Sequence, residues 1–521
     1  MSATRSNGSL RAGRAPSRRA AALGVLAATL LAAPGAMAGG LYYSDRGVRP
    51  LGRAGAFVAG ADDAGALMYN PAGIFDAGGQ VLVDGSWVQF SSDYTRQALV
   101  QQIDPNTGKP VGNGMLQTFK PVQGSTPFLP IPTLAATVQV HKQVVLGFGV
   151  WAPYAALTSY PEEVEKKPAP QRYSLLSLDG SLLAFVGAGA AFAPIKELRL
   201  GAVVGVLTGV FKTKATFSGC VPERFICAPE QPSWDVLAQL SVGPIVAPTG
   251  EVGVTFVPSP AWRVGAAVQL PVYVRAPAKL KTRLPSASAF EKASQEGEDG
   301  HVAFDLPWTL RAGVETRMVE NLRLEVSFNF DRWSMHDSIT LTPDNIALKN
   351  VAGFPATYNV PPVTLPRHFQ DSVAVHAGGE YAIKREKVTI IARGGVSFET
   401  SAIPNAYTSV LTIDQNKVTT ALSASLQFDQ LRFDLTYAHV FGLPVTVDPK
   451  DARIPLTSPV SANEPKNPDY INGGYYSARA NVVGVGVAWT FDPPPGFDGA
   501  ASGPKPRTPP GSSAPPAAGS K

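Results

Sequence analysis

The side chains able to do chemistry are few and scattered. Six histidines fall at 141, 301, 336, 368, 376 and 439. None belongs to an H-E-x-x-H helix, and no G-x-S-x-G elbow occurs, so neither zinc hydrolysis nor serine acyl transfer is indicated. Gly187-Ala188-Gly189 and Gly484-Val485-Gly486 resemble pieces of nucleotide-binding loops. Neither opens a helix, and they read as strand glycines. Asp62-Asp63 could hold a cation, but a cap or turn is the simpler role for adjacent aspartates. The only cysteines, Cys220 and Cys227, share one expected loop. An exported chain permits a disulfide there, whereas a zinc site would need a second pair or a histidine cluster. The chain reads as a non-enzyme without metal or cofactor.

Composition points the same way. Only 16% of the 521 residues are charged, and there are 50 glycines and 47 prolines. That excludes a coiled coil and fits many strands joined by turns. The net charge of +5 is small, with much of the excess at Arg5, Arg11, Arg14, Arg18 and Arg19. No basic patch interleaved with aromatics appears, so nucleic acid is not an expected partner. Residues 1–38 have the form of a secretory signal: a basic start, an apolar run over Ala20 to Ala33, and a small-x-small exit at Ala36-Met37-Ala38. Ser17-Arg18-Arg19 hints at a twin-arginine signal, but the general secretory route suits a chain that crosses unfolded. The apolar run is shorter than the ~20 residues of a spanning helix.

What must position any site is a set of strands. In 322–330, Leu322, Leu324, Val326, Phe328 and Phe330 share one face, and Arg323, Glu325, Ser327 and Asn329 the other. Segments 262–270, 310–317, 373–381, 388–399, 431–437 and 483–491 alternate in the same way. The apolar segments Ser181 to Ile195 and Leu200 to Phe211 read as a strand pair turning at Lys196-Glu197. Short turns near 141–143, 195–197, 259–260, 319–321, 384–387 and 429–430 alternate with long loops near 95–130, 155–172, 218–235, 278–303, 341–369, 400–415 and 442–478. That pattern, with fourteen strands between, predicts an all-β transmembrane antiparallel barrel rather than a sandwich. In lipid every backbone N–H and C=O needs an internal partner, and a closed sheet supplies one. Trp87, Trp151, Trp262, Trp308, Trp333 and Trp489 are expected in its interfacial girdles.

One stretch before the strands is neither strand nor domain. It reads L-G-R-A-G-A-F-V-A-G-A-D-D-A-G-A-L-M-Y-N-P-A-G-I over Leu51 to Ile74. Leu51-Gly52-Arg53-Ala54, Ala61-Asp62-Asp63-Ala64 and Tyr69-Asn70-Pro71-Ala72-Gly73, in this order, resemble the N-terminal hatch of the FadL/TodX family of outer-membrane transporters. Leu306-Pro307 through Trp333 and Gln370 through Pro404 are similar to further blocks of that family. The resemblance implies a fourteen-strand barrel over 79–491 with residues 39–78 as a hatch inside it, built on Gly52, Arg53, Asp62, Asp63, Asn70, Pro71, Ala72 and Gly73. Gly52, Gly55, Gly60 and Gly65 would let the hatch rearrange. The last strand resembles the signal read by the barrel-assembly machinery. Residues 492–521, rich in Pro, Gly, Ala and Ser, are expected to be a disordered periplasmic tail.

By parity Arg199, Arg263, Arg311, Arg323, Arg393 and Arg432 face inward. An arginine binds a carboxylate through two parallel N–H contacts; pairing with lumenal Glu and Asp is the bland alternative. Arg393, inside a family-like block, is the best single candidate for a head group. Val203 and Leu207, alternating with glycines, give an apolar wall for greasy cargo. The expected function is passive uptake of hydrophobic compounds, foremost long-chain fatty acids, by a monomer in contact with outer-membrane lipid. In the family's mechanism loops capture substrate, the lumen binds it, and a hatch shift opens a way out, partly sideways. An aromatic-hydrocarbon channel, an adhesive barrel and a barrel hydrolase are the rivals.

Overall fold

The computed structural model describes residues 47–103, 110–126, 130–154, 158–221, 225, 227, 230–458 and 469–492. The expected leader, residues 39–46 of the expected hatch, and the expected tail from residue 493 onward lie outside the described residues.

Alternation of apolar and polar residues favours strands, and fourteen of them form one wall. They are β1 (Gly79–Ile103), β2 (Pro130–His141), β3 (Val144–Tyr154), β4 (Leu182–Ile195), β5 (Leu198–Ser218) and β6 (Asp235–Ser259). Then come β7 (Trp262–Gln269 and Val272–Arg283), β8 (Asp299–Leu306 and Thr309–Thr316), β9 (Leu322–Asp331 and Ser338–Pro343) and β10 (Val363–Pro366 and Ser372–Lys384). The last are β11 (Thr389–Glu399), β12 (Lys417–Phe428), β13 (Leu431–Gly442) and β14 (Gly474–Asp492). Each pairs antiparallel with its neighbours in sequence. The first then meets the last, in register from Gly79↔Asp492 to Arg96↔Gly474. The sheet is therefore closed and has no free edge. Six tight turns lie at one end; Asn321 and Asp429 adopt positive φ in two of them, which these residue types tolerate. The long connections lie at the other end.

The outward faces are apolar. Leu422 is 70% exposed, Val204 69% and Val246 63%, as befits side chains that meet lipid rather than water. Trp262, Trp489, Phe491, Phe428 and Phe433 point outward near the short-turn end. Trp308 packs on Phe330 at 5.4 Å nearer the loops. Two of the six tryptophans depart from the expected girdle. Trp151 and Trp333 are buried, because their place in the strand alternation, or in a turn that leaves it, aims them inward. Leu422 lies midway along β12, so Leu422→Arg should cost about 2–4 kcal/mol near the bilayer midplane. Urea titration in liposomes would show that loss as a lowered midpoint.

Four adjacent strands, β7 to β10, are each interrupted once. β7 breaks at Leu270-Pro271, β8 at Pro307-Trp308 and β10 after Pro366. Proline has no N–H to give to the ladder. β9 breaks at Arg332, where Trp333–Met335 form a 3-10 turn.

Candidate functional site

The segment from Gly47 to Gly78 is too glycine-rich to build a core of its own, and it forms three short turns. They are Val48–Leu51, Ala64–Met68 and Pro71–Ala77. Asp63 caps the second, accepting from the Gly65 N–H at 3.0 Å. Asn70 caps the third, accepting from the Ala72 N–H at 3.2 Å, and Pro71 follows where a missing N–H costs nothing. The Asn70 amide also donates to the carbonyls of Val58 and Val254 and to Thr255 Oγ1. Neighbours of the segment stand on all fourteen strands. It therefore lies within the closed sheet.

Charge fixes it there. Arg49 pairs with Asp62 (2.8 Å), Asp63 (3.0 Å) and Glu380 on β10 (2.9 Å). Arg53 pairs with Glu325 (2.9 Å) and Glu315 (3.2 Å). Glu325 also accepts the N–H groups of Val58, Ala59 and Gly60 at 2.6, 2.9 and 2.9 Å. Asp62 meets Arg323 and Arg317; Asp76 meets Arg199 and Arg263; Asp63 meets Arg432. Burial alone would raise the Asp62 carboxyl, but Arg323, Arg49 and Arg317 outweigh it and hold it well below the usual carboxylate range. Its stabilising share is complete above the ordinary aspartate pKa and is lost only in strong acid.

Close packing does the rest. The wall glycines Gly378 and Gly395 touch the Arg53 backbone, where an added Cβ would lie 2.4 and 2.3 Å from it. Gly201 lies as close to Ala72, and Gly253 to Asn70. Gly52 and Gly60 behave likewise, leaving no room against Ser423 and Glu315. In this arrangement those two glycines serve contact with the wall, whereas Gly55 adopts a positive φ of 82°.

Arg393 sits inside the same lattice. Its Nε donates to Glu380 at 2.8 Å, and its Nη1 reaches Ser425 and Asp434. It is committed to wall carboxylates. Arg199, Arg263, Arg311, Arg323 and Arg432, all turned inward, are paired with acids as well.

On the loop side of the hatch the lumen turns apolar. Val203, Trp151 and Phe185 pack with the hatch residues Leu67, Tyr69 and Phe75. Leu207 and Val272 belong to a second apolar cluster with Phe304, Trp333 and Phe369. Between the two is a narrow cleft, roomy enough for little more than a water molecule, lined by Trp151, Phe185, Val203, Leu207 and Val272, with Glu251 and Gln269. Val203 and Leu207 both line this cleft, and Arg393 does not.

The residue missed from sequence is Arg367. It is only 6% exposed, with its guanidinium 5.0 Å from the Phe369 ring centre. It donates through Nη2 to Thr412 Oγ1, and its Nε has no partner. Among the described residues no carboxylate pairs with it. Two other buried nitrogens by Phe369 also lack partners, Trp333 Nε1 and His336 Nε2. Arg367 follows a proline outside any strand, so parity could not place it.

Cys220 and Cys227 are disulfide-bonded, with Cα atoms 5.8 Å apart. They pack with Phe225, Trp234, Phe290 and Val351 among the loops, not at the lumen. Among the described residues no group of three His, Cys, Asp or Glu is placed to hold a metal.

A closed fourteen-strand sheet, apolar outside and with its N-terminal segment packed within, defines a transmembrane barrel. Residues 29–491 match the profile of the outer membrane protein transport protein family (OMPP1/FadL/TodX), and the chain belongs to that family. A Pseudomonas aeruginosa FadL homologue superposes with a TM-score of 0.64 at 14% identity, covering 87% of this chain and 100% of that one. The Pseudomonas putida toluene transporter TodX gives 0.54 at 16%, covering 84% and 98%. The Ralstonia pickettii toluene transporter TbuX gives 0.51 at 17%, covering 86% and 99%. At these identities the likeness is one of fold. No curated protein matches.

Proposed function

We propose that the chain is an outer-membrane channel for passive uptake of hydrophobic compounds, and that its cargo is long-chain fatty acid. The long loops would face the cell exterior, the narrow cleft at Val203 and Leu207 would widen to receive the acyl chain, and release would follow a shift of the hatch. Family membership supports the hydrophobic class. The observation that favours a fatty acid is Arg367, a buried cation beside an apolar cluster with no acid paired to it among the described residues. Burying a charge without a counter-charge is costly, and a carboxylate head group would supply one. The neutral hydrocarbon carried by a toluene transporter would leave it unpaired.

Arg367→Leu separates the two readings. A charge-assisted hydrogen bond is worth about 1.5–3 kcal/mol, so palmitate binding should weaken roughly ten- to a hundredfold while toluene uptake is unchanged. Arg367→Lys should recover part of the affinity. Titration of purified protein with a fluorescent fatty acid reads the effect. Equal binding by the leucine variant would exclude the fatty-acid reading in favour of the hydrocarbon.

A further inference from the structure

Three buried polar atoms beside one ring lack partners. Arg367 Nε, Trp333 Nε1 and His336 Nε2 make no hydrogen bond among the described residues. All three side chains pack on Phe369. The Arg367 guanidinium carbon lies 5.0 Å from its ring centre, the His336 ring 4.8 Å and the Trp333 ring 5.8 Å. Trp333 and His336 stand 6.0 Å apart, edge to face. Both are fully buried, and Arg367 nearly so. A buried polar group left without a partner costs about 1–3 kcal/mol. Three around one ring point to a ligand that supplies what the chain does not.

The three atoms differ in kind. Arg367 Nε and Trp333 Nε1 each carry a hydrogen and can only donate. His336 is the exception. Its Nδ1 meets the Asp305 carbonyl at 2.7 Å. A carbonyl only accepts, so the ring hydrogen sits on Nδ1. In a neutral imidazole the other nitrogen then offers a lone pair. Leu322–Asp331 has the ten residues that cross the hydrocarbon, and His336 ends the turn that follows. Burial there, and next the Arg367 charge, hold its pKa down to about 4, so the ring is neutral at neutral pH. The site therefore presents two donors and one acceptor.

A plain carboxylate completes only part of this. Ionised, it accepts and never donates. It would satisfy Arg367 and the indole, but it has no hydrogen to offer the His336 lone pair. A neutral hydrocarbon satisfies none of the three. A hydroxyl alone answers His336 and leaves the Arg367 charge bare. An anionic group and an O–H on one molecule answer all of them. The acceptor and the cation stand against the same ring, so the two groups must be near neighbours on the ligand. The rest of that ligand is apolar, because the cluster around Phe369 continues through Phe304, Val272 and Leu207.

We infer that His336 Nε2 accepts a hydroxyl hydrogen, and that the cargo is a fatty acid bearing a hydroxyl within a few carbons of its carboxylate. The inference rests on the uptake reading above and narrows its substrate class: Arg367 takes the head group, and His336 chooses among the acids that share it.

The test is competition against a fluorescent fatty acid on the purified full-length protein at neutral pH. β-Hydroxypalmitate should bind about tenfold more tightly than palmitate, the effect of one satisfied buried acceptor. β-Methoxypalmitate keeps the oxygen and loses the hydrogen, and should bind no better than palmitate. In His336→Phe, which keeps an aromatic ring in place, the ratio of hydroxy to plain acid should fall to about one. The three ligands compared on the parent decide the matter even if that variant does not fold. Equal affinity of the parent for hydroxy and plain acid would overturn the inference. So would a methoxy acid that matches the hydroxy acid, or a preference that survives His336→Phe. In each of these cases palmitate binding that depends on Arg367 would leave the uptake reading standing. If neither acid binds, or Arg367→Leu binds both as the parent does, that reading falls and this inference with it.

Discussion

Glu325→Ala is expected to unseat the hatch while leaving the barrel closed. One carboxylate here receives three consecutive N–H groups, from Val58, Ala59 and Gly60, together with Arg53. Truncation strands the three amides in a buried site and leaves Arg53 with Glu315 alone. Breaking one side of a buried ion pair costs about 3–5 kcal/mol. The deserted donors add to this, though not additively within one network. Glu315 keeps its 3.2 Å contact with Arg53 but has no hold on the three amides. Single-channel recording in planar bilayers should therefore find frequent open events in the variant and rare ones in the parent. Heat-modifiable migration on a gel should stay as in the parent, since no strand pairing depends on this side chain. Glu325→Gln, which keeps an acceptor oxygen but loses the charge, should lie between the two. A variant as quiet as the parent would show that the carboxylate does not hold the hatch.

Gly395→Ala should produce an effect of similar size by a different cause. The new Cβ would lie 2.3 Å from the carbonyl carbon and oxygen of Arg53. These are backbone atoms and cannot swing away. Overpacking commonly costs about 1–3 kcal/mol, and here relief requires moving Arg53 off both glutamates, so the upper end is expected. The adjacent Gly394 provides the control. Its Cβ would find no atom nearer than 3.6 Å, at Leu422, so Gly394→Ala should be silent. Limited proteolysis of the hatch in detergent should separate the neighbours: faster cleavage for position 395, the parental rate for position 394. Equal rates would mean that the hatch tolerates a wall displaced by a methyl group.

Much of this fold was legible from alternation alone. The turns at Lys196-Glu197 and Asp429-Gln430 fall where the apolar pattern lapses, and Arg323, Glu325 and Ser327 turn inward as their parity requires. Parity fails where the strand does. Trp333 sits in a turn between two pieces of β9, so its side chain is not bound by the alternation that sets Phe328 and Phe330 outward. Pairing is legible even less. Arg393 looks available in sequence because Glu380 and Asp434 lie 13 and 41 residues away. Arg367 looks unremarkable for the same reason, since the lack of an acid beside it among the described residues is a property of the assembled wall.

The partners of the hatch are spread around the whole circumference: Asp84 on β1 holds the Val48 N–H, Arg199 and Arg263 hold Asp76, and Arg432 on β13 holds Asp63. A nascent sheet whose two ends have not yet joined offers these groups at the wrong separations. The N-terminal segment can therefore be fully seated only once the sheet has closed. In a chain whose ends have not met, Arg49, Asp62, Asp63 and Asp76 would lack these wall partners and the glycine-rich segment would stay open to proteases.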